Sequence, residues 1–347
     1  MSAKRGRKPK KEDARPKVQD LVALTGYSQG AISRAFNGGE GISDSTREKI
    51  LKAAREIGYH PNPSARNFKR GYSGRIGIIL PNLSNSNYSE LYEHLDLINT
   101  EAGLSTILAL THNSQEVEAD TMLHWSAGET DAFVVNPVPD MVNLPLYLKL
   151  KSWRFPILFL YESCGEQFDS LTIDYRMSMR QAMSYLRDVG HKKVSYVGTG
   201  MKDRPVGKHA MFIEWAREFG LVYDEELSVI GVDGDVAGQR AFSHWRLKGQ
   251  RPTAIVAFND HTAMSIISEA EGEGIRIPEE MSILGSDDIA SAKAVGLSTI
   301  RVDRLNMAKT IDEILRNRMK DFDSPIQLQR MTSELVVRRT MGPPKKR

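Results

Sequence analysis

From Lys17 to Asn37 the chain reads KVQDLVALTGYSQGAISRAFN. Val18, Leu21, Val22 and Leu24 recur at helical spacing and give a first short helix one apolar face. Gly26 supplies a bend, and the Ser28 hydroxyl is placed to cap a second helix running to about Phe36. In that second helix Ile32 and Phe36 fall on one side, and Ser28, Gln29, Ser33 and Arg34 on the others. One face packs while the other meets something polar. This is the pattern of a helix-turn-helix, although plain core hairpins are built the same way. Ser43 or Asp44 can cap a third helix, STREKILKAAREIGY, whose buried stripe is Ile50, Leu51, Ala54 and Ile57 and whose stop is Gly58.

A short polar segment, HPNPSARNFKRGYSG, separates these helices from a different pattern. From Arg75, apolar runs at 75–80, 105–110, 131–136, 156–161 and 170–174 alternate with helical stretches such as 88–103 and 143–153. A second series at 194–198, 227–232, 254–258 and 282–285 is interleaved with helices near 206–220, 236–248 and 261–273. Alternation of this kind predicts parallel sheets wrapped by helices, and two series predict two lobes. The lobe boundary falls near 162–170, with strand crossovers near 288–303. The helix RLNMAKTIDEILRNRMKDF is assigned to the second lobe, and the chain closes in strand-like SELVVRR.

With 347 residues, 40% hydrophobic and 26% charged, the chain suits a small domain and a larger body. No apolar run approaches the roughly 20 residues that span a bilayer, so a cytoplasmic protein without membrane partner is expected. The single cysteine, Cys164, excludes an intrachain disulfide and, with no Cys/His cluster nearby, argues against a metal site; no cofactor is expected. Charge is unevenly divided. Residues 1–72 hold 16 Lys and Arg against 7 Asp and Glu, and the rest of the chain 31 against 37. A basic head on a mildly acidic body is the electrostatic footprint of nucleic-acid binding.

The order of parts resembles the lactose-repressor/galactose-repressor (LacI/GalR) family of bacterial transcription regulators. The pieces that carry the resemblance are TGYSQGAISRAFN, ISDSTREKILKAAREIGYHPN, RIGIILPNLSN, YLRDVGHKKVSYVG, PTAIVAFND, IPEEMSILGSDD and SELVVRR. It implies an all-α helix-turn-helix domain joined to a two-lobed α/β body like the periplasmic sugar-binding proteins. The expected divisions are a basic tail at 1–16, the helix-turn-helix at 17–61, a hinge linker at 62–72, the body at 73–340 and a basic tail at 341–347. The resemblance further implies a homodimer on a palindromic double-stranded operator, controlled by a small-molecule effector.

Arg34 can donate a bidentate pair to a guanine edge and Gln29 can pair with adenine, while Ser28, Ser33 and Asn37 suit phosphates. In the family the two positions after the capping serine help choose the operator. Here they are Gln29 and Gly30. The linker resembles the family's hinge helix, with Phe68 at the position of the wedge residue that unstacks a base step; a flexible tether is the alternative. Near the N-terminus, Arg5 and Arg7 sit in a segment resembling a loose minor-groove hook, or else a solvated tail.

Ligands of two-lobed parallel folds bind at the carboxyl ends of strands. In the family, positions matching Asn85, Asn87, Tyr88, Asp174, Asn259 and Asp287 lie in or near the effector pocket. Amides, carboxylates and a tyrosine suit a polyhydroxylated ligand. Lys208 stands where the family usually has Arg, and either supplies a cation for an acidic sugar or phosphate or faces solvent. An enzyme is excluded in this reading, because no strand is followed by a phosphate loop, a nucleophile elbow or a zinc motif. A solute-binding module of transport type shares the body but has no use for the basic head.

Overall fold

The computed structural model describes residues 16–37, 40–60 and 72–345. The head and the body form separate compact units, dividing between Ser73 and Gly74.

In the head, α1 spans Val18–Thr25, α2 Gln29–Asn37 and α3 Asp44–Glu56. The backbone N–H of Lys17 donates to the Asp20 carboxylate at 2.7 Å, starting α1. Gly26 ends it in the left-handed region (φ 70°), its N–H returning to Val22 O, a conformation that a β-carbon disfavours. Ser43, not Asp44, caps α3 by accepting from Thr46 N–H. The core is Leu21, Ile32, Ala35, Ile50 and Ala54, closed by Phe36 edge-on to Tyr59. Leu24, expected on the buried face, is 56% exposed. With eight residues in α1, the stripe through Val18, Leu21 and Val22 already covers the contact with the other helices.

In the body, β1 is Arg75–Leu80, β2 Ser105–Leu110, β3 Ala132–Val135, β4 Ile157–Leu160 and β5 Asp169–Asp174. They lie between α4 (Ser86–Glu101), α5 (Gln115–Ser126) and α6 (Leu144–Ser152). The second series is α7 (Arg176–Asp188), β6 (Lys193–Gly198), α8 (Gly207–Glu218), β7 (Val222–Tyr223), β8 (Val229–Ile230), α9 (Val236–Lys248), β9 (Ala254–Ala257), α10 (Asp260–Gly272) and β10 (Ser282–Asp287). The chain then continues through α11 (Ala290–Ala294), β11 (Ser298–Arg301), α12 (Arg304–Lys320), β12 (Leu328–Thr332) and β13 (Glu334–Val336).

Among the described residues the strands form two sheets. One is ordered β12-β5-β4-β3-β1-β2, parallel throughout. The other is β13-β11-β10-β9-β6-β7, with β8 also beside β6 and β13 antiparallel to β11. The apolar runs of β1 and β3 are buried on both faces, as parallel strands between helices require.

The chain crosses between lobes three times. The first crossing follows β5, which pairs with β4 and β12, so the first lobe extends to Asp174 rather than ending near 162–170. The second follows β11, and the third lies at Ser333, between β12 and β13. The second crossing corrects the placement of α12. Its face of Met307, Ala308, Ile311, Ile314 and Leu315 packs with Ile76, Ile78, Leu80 and Leu91 of the first lobe. Arg318 fixes the far end through a bidentate pair with Asp169 (2.8 and 2.9 Å), and it also donates to the carbonyls of Phe322, Ser324 and Pro325.

Candidate functional site

On the head, the outward side of α2 carries Ser28, Gln29, Gly30 and Arg34, all exposed. The Ser28 hydroxyl accepts from Ala31 N–H at 3.2 Å, so its oxygen serves as the helix cap. Ser33 is half-buried and Asn37 closes the helix. The amino end of α2 therefore presents backbone N–H groups, a carboxamide and a guanidinium on one surface, a donor-rich face suited to base edges and phosphates. Arg5, Arg7 and Phe68 lie outside the described residues.

In the body, the strand ends of both lobes converge. At the carboxyl end of β1, Asn85 accepts from Asn87 N–H at 3.0 Å and caps α4. Asn87 is buried, and its amide donates to Tyr161 OH at 3.0 Å. Tyr88 OH accepts from the Asn136 amide at 3.0 Å, and its ring meets Tyr161 edge-on at 6.1 Å. Burial, with Asp287 and Asp233 nearby, pushes the Tyr88 hydroxyl up to about 12. Burial likewise raises Tyr161 and Tyr175. These phenols stay protonated at neutral pH and remain donors.

From the second lobe, Asn259 accepts from Thr262 N–H at 2.8 Å, capping α10, and its amide donates to Asp233 at 2.8 Å. The same Asp233 oxygen also accepts from Thr262 Oγ1 at 3.0 Å and from Gly234 N–H at 2.7 Å. Asp287 ends β10 in an unusual backbone conformation (φ 124°), and its side chain is buried. Among the described residues its carboxylate accepts no hydrogen bond. Burial raises its pKa to about 7, the Lys208 ammonium opposing and Asp260 adding to the rise. Buried, strained and without a donor, this carboxylate is the group in the cleft with most to gain from a ligand hydroxyl.

Lys208 does not face solvent. Its ammonium donates to Phe258 O at 2.5 Å and Ser286 Oγ at 3.3 Å, and lies over the rings of Phe258 (4.3 Å) and Tyr175 (5.0 Å). Burial lowers its pKa, while Asp287, Asp260 and Asp233 hold the charge on. Asp174 stands apart from this cluster in its bonding, its carboxylate accepting from Arg176 N–H at 2.9 Å at the start of α7. Its neighbour Tyr175 packs against the cores of both lobes.

Four residues of this cleft escape a reading of the sequence: Tyr161, Asp233, His261 and Arg304. Tyr161 and Asp233 follow strands and obey the strand-end rule that selected the others. The remaining two are legible only in three dimensions. His261 Nε2 accepts from Ser86 N–H at 3.1 Å, across the lobes. Arg304, at the start of α12, donates to Asp287 O, to Asp288 O (2.8 Å) and to Glu90 of α4 (2.8 Å), and Glu90 in turn accepts from Ala290 N–H (3.0 Å).

A helix-turn-helix head and a body of two parallel-sheet lobes joined by three crossings define the class of ligand-responsive DNA-binding regulators. Residues 17–62 match the family of bacterial regulatory proteins named for lacI, and residues 183–341 match the periplasmic binding protein-like domain. The chain therefore joins the DNA-binding domain of the lacI regulators to a periplasmic binding protein-like domain, the make-up of a DNA-binding transcriptional regulator rather than of an enzyme. Over 343 residues it is 25% identical to the HTH-type transcriptional repressor CytR of Escherichia coli K12, covering 95% of this chain and 98% of CytR. Its fold is similar to the lac repressor dimer bound to operator and an anti-inducer (TM-score 0.79, 21% identity, 95% of this chain and 100% of that one). It is also similar to a LacI-family regulator of Enterococcus faecium with bound ribose (TM-score 0.67, 21% identity, 78% and 99%). Among the described residues no helix is long and apolar enough to cross a membrane.

Proposed function

We propose that this regulator represses transcription in the cytoplasm by binding a palindromic operator as a homodimer, and that a neutral carbohydrate-type effector in the interlobe cleft controls the binding. The observation that carries the effector reading is the buried Asp287 carboxylate. It is ringed by Tyr88, Tyr161 and Tyr175 and accepts nothing among the described residues. Hydroxyls supply the missing donors, and tyrosine faces suit the apolar side of a sugar ring. An acidic sugar or phosphate fits less well. Lys208 already donates to Phe258 and Ser286, and the carboxylates of Asp233, Asp260 and Asp287 surround it.

Asn87, Tyr88, Asp233, Asn259, Lys208 and Asp287 form the pocket in this reading, with Asn85 and Asp174 shaping the strand ends around it. On the operator side, Arg34 and Gln29 read bases, Ser28, Ser33 and Asn37 meet phosphates, Phe68 wedges a central step, and Arg5 and Arg7 add minor-groove affinity. A ligand that binds the two lobe arrangements unequally shifts DNA affinity by that difference. The relatives support the pieces separately: CytR is a repressor, the lac repressor binds operator as a dimer, and the E. faecium regulator holds ribose.

The test is selection of bound fragments from the source genome, using the full chain beside one beginning at Ser73, at two salt concentrations. Palindromic sites enriched by the full chain alone support the proposal, and their neighbouring genes nominate sugars to assay. Equal, salt-labile retention of all fragments would leave only nonspecific binding by a basic head.

A further inference from the structure

The segment that carries Asp287 is held partly by the other lobe. Asp287 and Asp288 both adopt positive φ (124° and 57°), a region that a β-carbon disfavours and that persists only where the surroundings enforce it. Some of that enforcement is local to the second lobe. The Ile289 N–H donates to the Asp260 carboxylate at 3.0 Å, and the Asp288 carboxylate lies 2.6 Å from the Arg338 guanidinium. The carbonyls of Asp287 and Asp288, however, accept from Arg304. That arginine opens α12, whose apolar face packs in the first lobe.

Arg304 donates through Nη1 to Asp287 O, through Nη2 to Asp288 O at 2.8 Å and through Nε to Glu90 of α4 at 2.8 Å. The second Glu90 oxygen accepts from Ala290 N–H at 3.0 Å, so one ion pair grips the segment at both ends. A guanidinium only 7% exposed is costly to bury, and apolar side chains could tie two lobes together without that cost. What the guanidinium adds is geometry, because its planar fork fixes the directions of two successive carbonyls at once. It also leaves the carboxylate alone. Arg304 is near enough to favour the ionised form of Asp287, yet its donors go to the carbonyl of that residue, and the carboxylate oxygens remain without a donor among the described residues.

We propose that Arg304 and Glu90 are positioning residues for the effector: from the first lobe they hold the Asp287–Asp288 backbone in the conformation that presents the Asp287 carboxylate to the cleft, so that this acceptor is assembled only while the lobes are in contact. This rests on the reading of Asp287 as an effector group. When the lobes part, the clamp leaves with the first lobe, the backbone relaxes from its positive φ values, and the carboxylate turns to water. A sugar then meets the full acceptor in one lobe arrangement and not in the other, which is the unequal binding that control of DNA affinity requires.

The test follows the Asp287 carboxyl by carbon NMR of the ligand-free full chain labelled at aspartate Cγ, its resonance being the one lost in Asp287→Asn. Wild type should titrate at about 7. Arg304→Lys keeps the charge, but one ammonium cannot hold two carbonyls and a carboxylate in a plane; the segment should relax and the midpoint fall to about 4–5, the ordinary aspartate range. Arg304→Met should do the same. The other groups that act on this carboxylate, Lys208, Asp260, Asp233 and the phenols of Tyr88, Tyr161 and Tyr175, are unchanged in both variants. An arginine acting by charge alone gives the opposite pattern, no change in Arg304→Lys and a rise in Arg304→Met, because that charge lowers the Asp287 pKa; that pattern overturns the proposal. Arg318→Met loosens the same helix away from the segment and should leave the midpoint at about 7. A fall there equal to that in Arg304→Lys would mean general loosening of α12 and overturns the proposal too, as does a wild-type midpoint already in the ordinary range. No effector enters the titration, so its failure is distinct from failure of the effector reading, which sugar assays on wild type decide.

Discussion

Ser86 and His261, 175 positions apart, meet across the cleft: the Ser86 N–H donates to His261 Nε2 at 3.1 Å, and the Ser86 hydroxyl lies 3.3 Å from the same nitrogen. One residue starts α4 of the first lobe and the other lies in the first turn of α10 of the second. Because Nε2 accepts from a backbone N–H, the ring proton resides on Nδ1. The contact ties the first turn of α4 in one lobe to the first turn of α10 in the other.

His261→Ala should therefore open the ligand-free lobes. One such hydrogen bond contributes about 1 kcal/mol, enough to change a closed-to-open ratio by roughly fivefold. Spin labels at Trp153 and Leu247, one exposed site on each lobe, with Cys164 replaced by serine, report the distance distribution. A longer-distance population in the variant is the expected result. Identical distributions would mean that the contacts of Arg304 with the Asp287 and Asp288 carbonyls and of Glu90 with Ala290 N–H hold the lobes together without it.

The Arg318–Asp169 pair makes a stability prediction of a different kind. Both side chains are buried, at 6% and 1% exposure, so removing one partner strands the other's charge or dipoles away from water. Arg318→Met should lower unfolding free energy by about 3–5 kcal/mol in urea titrations, and Arg318→Met with Asp169→Leu should recover much of that loss. A single-variant loss below about 1 kcal/mol would show that water reaches Asp169.

These pairs mark where reading the sequence stops. The periods of apolar residues locate α2, α3 and the strands of both lobes, because each is a local consequence of which side chains face a core. Which lobe receives α12 is not local. The apolar face of Met307, Ile311 and Leu315 fits either sheet, and the choice is made by the crossing after β11 and by Arg318 finding Asp169. The same holds in the cleft. Asn259 and Asp287 are legible as strand-end polar groups, whereas His261 and Arg304 act through partners far away in the chain. Lys208 shows the converse, since its charge invites an anionic ligand on paper and its surroundings use that charge internally.

Phe68 is proposed, from the sequence alone, to be the wedge of a hinge linker. Phe68→Ala should abolish operator bending, read by the mobility of circularly permuted fragments, while sugar binding to the body stays unchanged. Bending that persists in this variant would remove Phe68 from that role.

Asp287 ties stability to the proposed effector site. Its pKa in the folded chain, about 7, lies above the ordinary carboxylate value near 4, because burial disfavours the ion more than Lys208 supports it. Between about pH 4 and pH 7 the folded state therefore holds a proton that the unfolded chain has released. Stability falls as pH rises through that window and levels off above it. The full cost is on the order of 3–4 kcal/mol, smaller if the cleft admits water. Asp287→Asn removes the ionisation and keeps the shape. Its stability advantage over wild type should grow from near zero at about pH 4 to its maximum above about pH 7 in urea titrations, while effector affinity drops because the amide offers a weaker acceptor than the carboxylate. An advantage that stays flat with pH would mean that the carboxylate is hydrated in solution. Asp287 would then have no unmet need for a ligand hydroxyl at the end of β10.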